Sequence, residues 1–120
     1  MRHLLFYLTR TPDEHSVVTD AFDAIATAII FDQTVTLVFE GQPWSDYFSR
    51  QHQRTDTFKN LSRKLQVLED MGTDTLDINI IGKNKTQGSK ILKRHLPSAH
   101  FIDTEKRKEL VEDCDQILSF

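Results

Sequence analysis

Hydrophobic and polar positions alternate along the chain in blocks. His3 to Leu8 (HLLFYL) is a short apolar run closed by the polar TRTPDEH, the form of a strand covered on both faces. From Ser16 to Phe31 the apolar residues Val18, Ala21, Phe22, Ile25, Ala28 and Ile29 recur at three-four spacing, which predicts an amphipathic helix with Ser16 as its N-cap. Thr34 to Phe39 (TVTLVF) is β-branched and apolar and predicts a second buried strand, stopped by Gly41 and Pro43. Phe58, Leu61, Leu65 and Leu68 then mark a second helix starting near Thr55 and stopped by Gly72. Leu76 to Ile81 (LDINII) reads as a third strand, and GKNKTQGS as a turn into a short helix ending near His95. A fourth strand is expected at His100 to Ile102, a helix at Thr104 to Asp113, and a fifth strand in the tail QILSF.

Strand and helix alternate throughout. Right-handed crossovers then make the simplest architecture an α/β fold of three layers, α/β/α, with a mainly parallel five-stranded sheet. At 120 residues the chain is expected to form one domain, residues 1–120.

Composition narrows the function classes. Fifteen Lys and Arg against eighteen Asp and Glu leave a formal charge of −3, so no overall positive field draws the chain to nucleic acid or an anionic membrane. A single cysteine forbids an intrachain disulfide, and no signal-peptide layout precedes the first strand. A cytoplasmic location is expected, with no direct membrane contact and tRNA engaged at most indirectly. No HExxH or HxH pattern occurs among His3, His15, His52, His95 and His100, so neither a metal nor a cofactor is expected.

In a parallel sheet, functional groups gather in the loops beyond the C-terminal strand ends. These are Thr9 to His15, Glu40 to Arg54 and Gly82 to Ser89, and their candidate residues are Thr9, Arg10, His15, Gly41, Gly82 and Lys83. The first loop leads into a helix start but lacks phosphate-wrapping glycines, and the spacing in GKNKTQGS departs from GxxxxGK[ST]. A solvated turn is the plainer reading of the latter. The run KRK at residues 106–108 reads as a solvated helix face. Cys114 lies among Glu112, Asp113 and Asp115, which disfavour a thiolate, so it reads as a packing residue leading into the last strand.

The stretch LLFYLTRTPDEHSVVTDAFDAIATAIIFDQTVTLVFEGQ resembles the start of the DsrE/DsrF/DsrH sulfur-relay family, in its DsrF/TusC branch. Phe22, Asp23, Ile25, Ala26, Ala28 and Phe31 stand where the branch carries a helix of the form LDxxLAxAAF. Glu40 and Gly41 match the acidic-glycine end of its second strand, and Asp115, Ile117, Leu118 and Phe120 match its closing YDxILxF. Cys114 stands where that pattern carries an aromatic residue. Gln42 and Pro43 depart from the family's hydrophobic residue, the segment up to Arg54 looks longer, and Ser119 replaces a frequent Arg.

The resemblance implies that sulfur is carried by a cysteine after the third strand of the DsrE/TusD subunit. Here that region reads INIIGKNKTQG and has no cysteine, hence no nucleophile for sulfane sulfur. The implied role is a subunit without catalytic activity of its own, assembled with DsrE/TusD-like and DsrH/TusB-like partners into a heterohexamer that passes sulfur towards tRNA wobble-uridine 2-thiolation or serves sulfur oxidation. Trp44, Tyr47 and Phe48 are the interface candidates, since such aromatics dominate protein contacts; the alternative is that they cover the chain's own sheet. Two other functions stay open: a stand-alone homo-oligomer binding a small anion or nucleotide near His15 and Gly82, and a sulfurtransferase using Cys114.

Overall fold

The computed structural model describes residues 2–9, 15–41, 44, 56–72, 75–81, 96 and 98–120. Side chains are described for all of these except residues 15–17 and 56–60. In chain order the elements are β1 (His3–Leu8), α1 (His15–Ile30), β2 (Thr34–Phe39), α2 (Asp56–Met71), β3 (Leu76–Ile81), β4 (Ala99–Ile102), α3 (Thr104–Asp113) and β5 (Gln116–Ser119). The strands form one sheet in the order β4-β3-β2-β1-β5, every neighbouring pair parallel. The α/β fold expected from the blocks is the one observed.

Register explains why the strand sequences are so apolar. Leu4, Phe6 and Leu8 lie beside Val35, Leu37 and Phe39, which lie beside Leu76, Ile78 and Ile80. Alternate residues of a strand share a face, so these nine side chains make one continuous apolar surface. Against it α1 sets Val18, Ala21, Phe22, Ile25, Ala28 and Ile29, all buried, and α2 sets Leu61, Leu65 and Leu68. Full burial of a Val, Leu, Ile or Phe side chain stabilises by about 1.5–3 kcal/mol, which is why this stripe fixes the helix orientation. The chain steps from β1 to β2 to β3 in one direction, so right-handed crossovers place α1 and α2 on the same face, where they touch. The return from β4 to β5 crosses the sheet the other way and lays α3 on the opposite face, against β1.

That opposite face is more polar. His3 Nε2 and Thr36 Oγ1 hydrogen-bond at 2.6 Å, Asn79 Nδ2 donates to Leu37 O at 3.3 Å and Asp77 Oδ2 at 3.0 Å, and His100 Nε2 lies 3.2 Å from Asp77 Oδ1. Helix α3 buries no residue completely. Its start is fixed by Asp103, whose carboxylate accepts the Lys106 backbone N–H at 2.9 Å as an N-cap should.

Several boundaries differ from the sequence reading. Helix α1 already contains His15, so Ser16 stands inside the first turn and is not the cap. Strand β4 begins one residue earlier, at Ala99. Strand β5 is an edge strand, exposed at Gln116, Ile117 and Ser119, and only Leu118 and Phe120 reach the core. The expected short helix before His95 lies outside the described residues. Gly72 follows the last residue of α2 as expected, and a Cβ there would meet Thr75 Oγ1 at 3.2 Å and Leu76 Cβ at 3.3 Å.

Candidate functional site

Strands β1 and β2 end side by side, and Glu40 N donates to Leu8 O at 3.0 Å just beyond their last pair. Tyr7, one residue before the end of β1, points away from Phe6 and Leu8 and so towards the α3 face. Glu40 follows β2 on the same side. Tyr7 Oη donates to Glu40 Oε2, and Arg107 Nη1 from α3 donates to Glu40 Oε1 and, at 3.3 Å, to Tyr7 Oη. This cluster ties three elements together at the C-terminal edge of the sheet, with Glu40 and Arg107 side chains each 27% exposed.

The electrostatics follow from the partners. Burial first, and then the hydrogen bond to the Glu40 carboxylate, push the Tyr7 phenol above its ordinary value. Hydrogen bonds to Tyr7 and then to Glu40 raise the Arg107 guanidinium, which stays protonated. The neutral phenol is the form the fold favours. Its contribution to stability is complete below pH of about 10 and is lost as pH rises through the higher folded value. Near-ultraviolet titration should therefore show one tyrosine ionising late, a component that Tyr7→Phe removes and Glu40→Gln moves downwards.

The turn after Glu40 is fixed by Gly41, whose φ of 115° lies in a region side chains rarely enter. Three residues on, Trp44 lies on Phe39 with ring centroids 4.6 Å apart and a 58° tilt, and is 1% exposed. Of the interface candidates, Trp44 is buried against Phe39 of the chain's own sheet; Tyr47 and Phe48 lie outside the described residues. Among the loop candidates, Thr9 and Gly41 both stand at this edge. Thr9 N donates to Phe120 O at 2.9 Å, which pins the end of β1 to the end of β5. Arg10, Gly82 and Lys83 lie outside the described residues, as does the His15 side chain.

Arg107 belongs to the run read as solvated, and the correction has a geometric cause: α3 crosses β1 so that one of three consecutive basic residues faces the sheet edge. Tyr7 and Glu40 carried a signal, each being a polar group attached to the end of an otherwise apolar strand. Cys114 sits at the other edge. Its neighbour Asp115 donates its backbone N–H to His3 O at 2.7 Å, at the start of β1. The half-buried thiol donates to Val111 O at 3.1 Å, and burial, followed by the Asp115 and Asp113 carboxylates, pushes its pKa up. Among the described residues no group of three or more His, Cys, Asp or Glu is placed to hold a metal. No helix among them is long and apolar enough to cross a membrane.

The sheet and its order define an α/β protein with a five-stranded, all-parallel sheet. The YchN protein from E. coli, known from a crystal structure, has a similar fold: TM-score 0.63 over 100% of both chains, at 9% sequence identity. No protein-family model matches the chain. No curated protein matches it by sequence.

Proposed function

We propose that this chain is a noncatalytic subunit of a sulfur-relay complex, similar to DsrF/TusC. It would assemble with a DsrE/TusD-like and a DsrH/TusB-like subunit and support persulfide transfer towards wobble-uridine 2-thiolation or sulfur oxidation. The observation that carries the reading is the position of the sulfur. The one cysteine of the chain stands at the N-terminal edge of the sheet with its thiol held protonated, while the sequence after β3, where the family's carrier cysteine falls, contains none. A chain of this architecture without a thiolate at the active edge is suited to a supporting role, and the C-terminal edge is occupied by the Tyr7, Glu40 and Arg107 cluster.

The test is native mass spectrometry of the tagged protein purified from its own host. Two further small subunits in equal ratio, one of them carrying a cysteine that becomes persulfidated, are expected. Recovery of the chain alone, or only with copies of itself, overturns the relay role.

A further inference from the structure

Helices α1 and α2 lie side by side and leave an open groove of about 250 Å³ along their outer surface. This is smaller than the roughly 300–1,000 Å³ of a small-molecule pocket, and exposed apolar side chains lie along it, so it suits a docking surface better than a ligand pocket. One wall carries Asp23 and Ala26, the other Lys64, Val67 and Met71. Ile30 extends the first wall, one turn beyond Ala26 on the same helical stripe. Ile30, Val67 and Met71 are 66%, 58% and 44% exposed, three of the five large apolar side chains exposed among the described residues. They cluster on this one seam, where contiguous apolar surface marks an interaction site.

We propose that this face binds a second copy of the same chain across a two-fold axis running along the groove. The charge pattern identifies the partner. Helix α1 has no Lys or Arg and presents Asp23, whereas α2 presents Lys64 across the groove from it. Rotation about an axis along the groove sets α1 of one copy over α2 of the other, so that Asp23 meets the other copy's Lys64 twice. The same rotation keeps the apolar ends together and lays Ile30 on the other copy's Val67 and Met71. A two-fold axis across the groove would instead set α1 over α1, with Asp23 against Asp23. Two-fold interfaces must complement themselves, and this surface does so in one orientation only. The inference is independent of the relay role.

Sedimentation velocity of the purified full chain over a range of concentrations tests it. A concentration-dependent dimer is expected. Val67→Glu, at the centre of the seam, should weaken it by roughly 30-fold or more, the scale of an interface hot spot. Lys64→Glu should weaken it by about tenfold, and Asp23→Lys combined with Lys64→Glu should restore most of the loss, because the swapped pair again faces opposite charge. All three positions are exposed, so the variants should keep the wild-type unfolding midpoint. A monomer at every concentration, a dimer indifferent to Val67→Glu, or a charge swap that fails to restore association overturns the proposal.

Discussion

Trp44→Ala is expected to lower the unfolding free energy by about 3–5 kcal/mol, the range for removing a large aromatic from a packed interior. The residue is 1% exposed, belongs to the main apolar cluster and contacts Phe39 at the end of the central strand β2. Its deletion removes the indole's own burial, leaves a cavity, and strips one face of Phe39 of the tilted ring contact, itself worth about 0.5–1.5 kcal/mol beyond area. Trp44→Phe should recover much of the loss by filling most of the volume. Urea unfolding followed by circular dichroism measures both. A loss below about 1 kcal/mol would contradict the burial, because that is the scale of a surface substitution.

Gly41→Ala comes next, with an expected cost of about 1–3 kcal/mol, the range for forcing a side chain into sparsely populated backbone space. At φ 115° the residue lies well beyond the left-handed helical well that Asp32 occupies at φ 59°. Any Cβ there presses the backbone at Gly41 to rearrange, and Gly41 directly follows Glu40, which is held in its cluster. The variant should therefore show a second effect that a generic loss of stability would not. Tyr7 should titrate closer to its ordinary range, because Glu40 no longer holds its place. A destabilised variant with an unchanged Tyr7 titration would separate the turn from the cluster.

Much of the fold was legible because burial writes itself into residue type. The limits of β2 and β3 follow from β-branched and apolar runs bounded by glycine and polar residues, and the six apolar residues spaced along α1 are the six it buries among its described side chains. The edge position of β5 was not legible, because four residues cannot report whether a second neighbour lies beside them: Ile117 is as apolar in an edge strand as in a buried one. Trp44 left both of its readings open for a related reason. An aromatic within a polar stretch announces that it will be covered, and says nothing of whether the cover is its own sheet or another chain. The Tyr7, Glu40 and Arg107 cluster joins residues 33 and 67 positions apart, and the link runs through a helix whose basic residues are otherwise exposed. Only the crossing of α3 over β1 selects Arg107 from its neighbours.

The sheet order has a consequence for how the molecule is made. Strand β1 lies between β2, which follows within a single helical crossover, and β5, whose pairing joins Leu4 to Gln116 and Tyr7 to Ser119. Closing so long a loop is entropically unfavourable until the intervening structure exists, so β5 should dock late. During synthesis the segment from β1 to β3 can form its apolar face while one edge of β1 still shows unpaired backbone groups. That edge is a template for another nascent chain until residues 116–119 arrive to cover it. The four-residue strand that adds little to the finished core is then the one that ends the period of greatest risk of aggregation.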